Sequence, residues 1–214
     1  MSTGKLGFIL DRSPTIKVYV PLILEALQRN LEVFVFCGPD PSHSWPNQPL
    51  YQPLAKNMFF PQKDRINFVY YQDNLHLAKL AKAVQIDHLI TTDFANLSYG
   101  PALPEIKKQG IKIHGLQWSG DYLSMTPEKF EPLDSYFVYT HQMIEFYKRL
   151  HPQSRLENKF VVTGNHMLDQ IPELKKSREQ IYKKLGLNSR KKTVLFYTQD
   201  LRHPSQNFLI RNMF

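Results

Sequence analysis

Residues 5–36 read KLGFIL, DRSPT, IKVYVPLILEALQRN, LEVFVF, and this stretch decides the fold. Lys5 to Leu10 is a short apolar run of strand length. The polar DRSPT that follows hands over to Ile16 to Asn30, whose apolar positions fit a helix with Pro21 early in it. Leu31 to Phe36 comes next as a second strand, with room only for a tight turn before it. Strand, turn, helix and strand make a βαβ unit, and the right-handed crossover makes the two strands parallel.

The same alternation resumes downstream. Ile66 to Tyr71 reads as a strand, Asn74 to Val84 as a helix, Asp87 to Thr91 as a strand, and a helical stretch ends near Gln109, closed by Gly110. Ile111 to Leu116 is a further strand. Ser135 to Tyr139, Gln142 to Leu150 and Phe160 to Thr163 read as strand, helix and strand. Seven strands with intervening helices predict an α/β fold, a doubly wound parallel sheet of Rossmann-like kind. Between them, Cys37 to Pro61 carries Pro39, Pro41, Pro46, Pro49, Pro53 and Pro61, so it predicts a long excursion with one short helix near Leu54 to Phe59. Loops this long in a compact domain are commonly functional.

Beyond the sheet, Glu173 to Leu185 reads as a charged helix ended by Gly186, and Thr193 to Tyr197 as a strand of the sort that opens a second α/β domain. The expected organisation is therefore residues 1–170 as a Rossmann-like domain, 171–192 as a linker helix, and 193–214 as the first strand and loop of a truncated second domain. At 214 residues the chain has ample length for a real core. Its one cysteine, Cys37, excludes an internal disulfide and a cysteine-rich metal site. With no run of membrane-span length and no signal-peptide core, a cytoplasmic setting is expected.

The net charge of +8 suits nucleic acid, an anionic lipid surface or an anionic small molecule. Lys175, Lys176, Arg178, Lys183, Lys184, Arg190, Lys191 and Lys192 face one acid, Glu179, across a helix and the loop after it. This reads as a solvated basic face, with peripheral contact to the inner face of a membrane as the functional alternative. No nucleic-acid motif accompanies the charge and no aromatics interleave with it, so nucleic acid is not expected as a partner.

Candidate chemistry collects at strand ends, where ligands of open α/β sheets bind. Asp11 to Thr15 and Lys17 stand where the first strand meets the first helix, and Arg12 with Lys17 would suit an anionic ligand beside helix N–H groups. A cap by Asp11 or Ser13 is the structural alternative. Thr91, Thr92 and Asp93 end the fourth strand. After the fifth, Gly120, Asp121, Ser124, Thr126 and Glu128 gather beside Trp118 and Tyr122, a mixture of carboxylates, hydroxyls and aromatic faces suited to a polyhydroxylated ligand. The alternative there is a solvated loop whose Trp packs onto the core. His114, His141 and His166 are candidate acids or bases, and they lack metal-ligand spacing, so no metal is expected. Thr163, Gly164 and Asn165 end the seventh strand, where glycine permits a turn.

Taken together, Arg12 to Ile23 (RSPTIKVYVPLI), Thr92-Asp93, Gly115-Leu116 with Gly120-Asp121, Pro127-Glu128 and Val161 to Asp169 (VVTGNHMLD) resemble the non-hydrolysing UDP-N-acetylglucosamine 2-epimerases, of the glycosyltransferase-B (GT-B) structural class. Order and rough spacing agree from Arg12 to Asp169. The resemblance implies that Arg12 and Lys17 lie near the phosphates of a nucleotide sugar, with Gly120, Thr163, Gly164 and Asn165 also in the binding site. It makes Asp93, Glu128, Asp121 and His114 the acid–base or sugar-contacting candidates. Ile113-His114 replaces the family's Glu-Ala before Gly-Leu, which removes one acid–base carboxylate. The resemblance therefore implies, ahead of an epimerase, the amino-terminal half of a GT-B glycosyltransferase of surface polysaccharide or glycoconjugate synthesis. A non-catalytic sugar- or nucleotide-binding remnant is the non-enzyme alternative. The expected partners are a nucleotide sugar, a UDP-sugar by the resemblance, and a sugar acceptor, with a second-domain partner or a second copy of the chain and no separate cofactor.

Overall fold

The computed structural model describes residues 4–10, 15–38, 62–92, 94, 99–118, 125–165, 178–186 and 188. By compactness the chain divides into Met1–Gln170 and Ile171–Phe214. In the first unit, β1 (Lys5–Leu10), α1 (Ile16–Gln28), β2 (Glu32–Cys37), β3 (Ile66–Tyr70), α2 (Asn74–Val84) and β4 (His88–Thr91) come first. They are followed by α3 (Leu103–Lys108), β5 (Lys112–Leu116), β6 (Ser135–Val138), α4 (His141–Leu150) and β7 (Phe160–Val162). In the second unit the described helix is α5 (Arg178–Lys184). The expected short helix near Leu54 to Phe59 and the strand Thr193 to Tyr197 lie outside the described residues.

The seven strands form one parallel sheet in the order β3-β2-β1-β4-β5-β6-β7. This is the doubly wound arrangement that the sequence predicts. The order reverses between β1 and β4, where Leu6 pairs with His88 and Phe8 with Ile90. Crossovers on one side of that point return over one face and those on the other side over the opposite face. Between them they open a crevice at the carboxyl ends of β1 and β4.

Alternation within β1 shows how both faces are filled. Phe8 and Leu10 pack with Val33, Val35 and Leu116 against Val18, Ile23 and Leu27 of α1. Ile9 points the other way, into a core with Leu89, Ile113 and Tyr136 under Leu77 and Ala81 of α2, Leu103 and Ile106 of α3, and Tyr147 of α4. Strands buried on both faces explain why β1 and β2 read as continuous apolar runs.

Local signals set the helix ends. Asp73 caps α2 by accepting from the His76 N–H at 2.8 Å, and Gln85 ends it in the left-handed region at φ 55°. Gly110, at φ 85°, stands beyond the end of α3. The N-cap of α1 is Thr15; Asp11 and Ser13, the alternative caps, lie outside the described residues. Gly115 is required by packing: a Cβ there would lie 2.6 Å from Tyr136 Cδ2 and 2.8 Å from Leu133 Cδ1.

Cys37 ends β2 fully buried, its S–H directed at the Val35 carbonyl at 3.7 Å. Burial pushes its thiol up to about 12. Among the described residues, no helix is long and apolar enough to cross a membrane.

Candidate functional site

At the reversal point the described end of β4 is held by buried hydroxyls. Thr91 and Thr92, which end β4, are fully buried. The Thr92 N–H donates to the Tyr19 hydroxyl at 2.9 Å, and that hydroxyl donates to Thr92 Oγ1 at 3.3 Å. Tyr19 comes from the second turn of α1, so one phenol ties the end of β4 to the helix that starts after β1. The Thr91 hydroxyl lies 2.6 Å from the Tyr99 hydroxyl. Each buried polar group here has a partner inside the protein, which holds the strand end in one position.

Tyr19→Phe tests that anchoring. The ring keeps its edge-on contact with Phe8 at 5.4 Å, but the Thr92 N–H is left buried without its acceptor. The expected loss is about 1–3 kcal/mol in urea denaturation. An unchanged midpoint would show that the hydroxyl anchors nothing.

Further along the carboxyl edge, Gln117 is buried and its Oε1 accepts from the Tyr139 N–H at 2.8 Å. The Tyr139 hydroxyl reaches the Trp118 carbonyl at 3.5 Å, and its burial raises the phenol above the ordinary tyrosine range. Trp118 is partly buried against the α1-side core, the packing alternative that the sequence left open. At the end of β7 the Thr163 N–H donates to the Val138 carbonyl at 3.0 Å, and Gly164 turns the chain at φ 78° with open space where a side chain would stand. Thr163, Gly164 and Asn165 thus follow β7 on the same edge as Thr92 and Gln117.

Lys17 stands in the first turn of α1. Arg12, Asp93, Gly120 and Asp121 lie outside the described residues. Among the acid–base candidates, His114 and Glu128 are described, and the structure brings neither to Thr92. His114 sits inside β5, level with Ile90, and both of its ring nitrogens are engaged. Nε2 lies 2.8 Å from His88 Nδ1, and Nδ1 lies 2.7 Å from the Ser135 hydroxyl. The rings of His88 and His114 stack at 5.1 Å. Burial lowers His114 below the usual histidine range, and His88 and Lys112 push the same way while Asp134 opposes them.

This shift fixes the sign of a pH effect. The unfolded chain takes up the His114 proton near its ordinary value of 6.5, and the folded chain resists it to lower pH. Stability is complete above that value and is expected to decline as the pH falls below it. Denaturation midpoints measured between pH 7.5 and 5, roughly the window in which a histidine charges, should fall more steeply for the wild type than for His114→Gln. Parallel curves would remove His114 as the source.

Glu128 lies in the short 3-10 turn Pro127–Phe130, exposed. Its own N–H, the Thr126 hydroxyl and the charge of His151 hold its carboxyl below the usual range. His151 is the C-cap of α4, so Glu128 faces the end of that helix. The residues after Glu128 lie where strands begin: Lys159, one position before β7, donates to the carbonyls of Phe130, Glu131 and Leu133 at 3.4, 2.9 and 2.7 Å.

Sequence reasoning missed Tyr19, Tyr99, Gln117 and His88. Tyr19 occupies a core position of an apolar helix, and nothing local announces that its hydroxyl meets Thr92. Among the described residues no group of three His, Cys, Asp or Glu could hold a metal. A cavity of about 870 Å³ lies at the opposite, amino edge, lined by the ends of α2 and α3. It holds none of the candidate site residues.

No protein-family model matches the chain, and no curated protein matches it. Solved structures do. LpCGTa in complex with UDP aligns at 10% identity over 81% of this chain and 56% of that one, with a TM-score of 0.54. UGT89C1 of Arabidopsis thaliana, complexed with UDP-L-rhamnose, aligns at 11% identity over 77% and 49%, with a TM-score of 0.45. The lipopolysaccharide outer core galactosyltransferase WaaB, in its apo form, aligns at 13% identity over 74% and 44%, with a TM-score of 0.44. The chain spans about half the length of each. The likeness to LpCGTa shows a shared fold, the doubly wound parallel α/β sheet.

Proposed function

We propose that this chain supplies the amino-terminal, acceptor-side half of a UDP-sugar glycosyltransferase of the GT-B class. The observation that carries the reading is the reversal of strand order between β1 and β4, where the Tyr19–Thr92 and Thr91–Tyr99 hydroxyl pairs hold the end of β4. It lies in a fold shared with a protein that was solved holding UDP. Open α/β sheets bind their ligands at such a reversal point. In this reading Arg12 and Lys17 approach donor phosphate, and Thr163, Gly164 and Asn165 border the same edge. Asp93, which follows Thr92 in the chain, is the base that takes the proton from an acceptor hydroxyl, with Asp121 as the second carboxylate. His114 and Glu128 are left out of the chemistry because their described neighbours are His88, Ser135 and His151.

The acceptor belongs to surface polysaccharide or glycoconjugate synthesis. The donor's remaining contacts come from a second-domain partner or a second copy, and the basic residues from Lys175 to Lys192 offer a peripheral contact with an anionic membrane.

Titration calorimetry of the 214-residue protein with UDP-N-acetylglucosamine, UDP and ATP tests the uridine ligand. Heat that saturates with both uridine ligands and not with ATP is the expected result. Equal binding of all three, or of none, overturns the assignment of a uridine nucleotide to this edge.

A further inference from the structure

We infer that the amino edge of the sheet carries a second binding site, for a small phosphate-bearing anion. This rests on the cavity of about 870 Å³ between the ends of α2 and α3, independently of the proposed transferase activity. The volume is within the range of small-molecule sites. Ala81, Ile86 and Ile111, all buried, give it an apolar floor. Its rim carries Lys82, Lys108 and Lys112, contributed separately by α2, α3 and β5.

The hydrogen-bonding inventory decides what kind of ligand fits. Two helices end here, and their last carbonyls would favour a cation if they were free. They are engaged. Gln109 Nε2 donates to the Ala78 carbonyl at 3.2 Å and Lys5 Nζ to the Val84 carbonyl at 3.1 Å. The N–H groups of Gln85, Gln109 and Gly110 take the carbonyls of Lys82, Ile106 and Lys107. Asp87, the one carboxylate in the lining, accepts from the Lys5 N–H at 2.7 Å, and its carbonyl accepts from the Lys112 N–H at 3.1 Å.

The donors are in the opposite condition. The ammonium groups of Lys82 and Lys112 have no hydrogen bond or ion pair with any described residue. Lys108 holds Glu105 in an exposed i,i+3 pair, which is worth little and easily exchanged. The cleft thus offers charged donors from three elements against a single carboxylate. A phosphate group, rich in acceptor oxygens and anionic, matches that surplus. The three lysines come from three elements that line one cavity.

Inorganic pyrophosphate is the probe, titrated calorimetrically into the wild type, Lys82→Gln/Lys112→Gln, and the charge-matched control Lys79→Gln/Lys129→Gln. Both doubles remove exposed lysines, so both are expected to fold, and circular dichroism melting checks this. The cavity double should weaken binding about tenfold or more and the control less than about threefold. UDP binding should be the same in the wild type and the cavity double. Equal weakening in both doubles would show diffuse charge attraction and overturn the site. The absence of saturable pyrophosphate binding in the wild type, or equal loss of UDP affinity in the cavity double, overturns it as well.

Discussion

Phe130→Ala is expected to lower stability by about 3–5 kcal/mol, the range for emptying an aromatic core position. Phe130 is fully buried, although it ends a short 3-10 turn and belongs to no strand. Its ring lies 4.9 Å from Phe94, 5.3 Å from Tyr136 and 5.5 Å from each of Tyr147 and Phe160. Those four rings come from the segment after β4, from β6, from α4 and from β7, and they also pack on one another. A hole at the centre has no single element that can move in to close it, so relaxation recovers little. Dispersion contacts and edge-to-face geometry are lost together with the buried area. Urea denaturation measures the change, and a loss under about 1 kcal/mol would mean that the box collapses freely. Phe130→Leu, which keeps most of the volume, should lose a fraction of the alanine cost.

If Asp93 is the base of the proposed transferase, Asp93→Asn should reduce turnover by about 10²–10⁴-fold, the usual contribution of general base catalysis. Asparagine keeps the size and loses the ability to take a proton, so KM for the donor should move little while kcat falls. Release of UDP from a UDP-sugar in the presence of acceptor gives the rate. Asp121→Asn in the same assay separates the two carboxylates, the base being the one whose loss also flattens the acidic limb of the pH profile. Activity retained in Asp93→Asn would move the base elsewhere. The anchoring of Thr92 by Tyr19 makes a further expectation: Tyr19→Phe should lower kcat through position and leave the pH profile in place.

Much of this architecture is legible in the chain because its signals are local. Phe8 and Ile9 are both apolar, as a strand covered on two faces requires, and Gly110 marks the end of a helix by its left-handed backbone. What escaped depends on contacts between distant segments. His88 and His114 are 26 residues apart and meet because β4 and β5 pair with Ile90 opposite His114. Thr92 and Tyr19 are 73 apart and meet across the sheet's reversal point. Glu128 shares a loop with Asp121, so the sequence places them together. The fold sets Glu128 within reach of the His151 charge, a neighbour that spacing does not announce.

The buried thiol of Cys37 makes this protein convenient for single-site labelling. With its thiol pushed up to about 12, it is about one part in ten thousand thiolate at pH 8. A cysteine introduced on the surface has roughly a quarter of its sulfur in that reactive form. Maleimide chemistry on the otherwise unaltered chain therefore selects the introduced position. A fluorophore on Lys112→Cys would report events at the amino edge, and one on Thr163→Cys would report those at the carboxyl edge, with no cysteine to remove first.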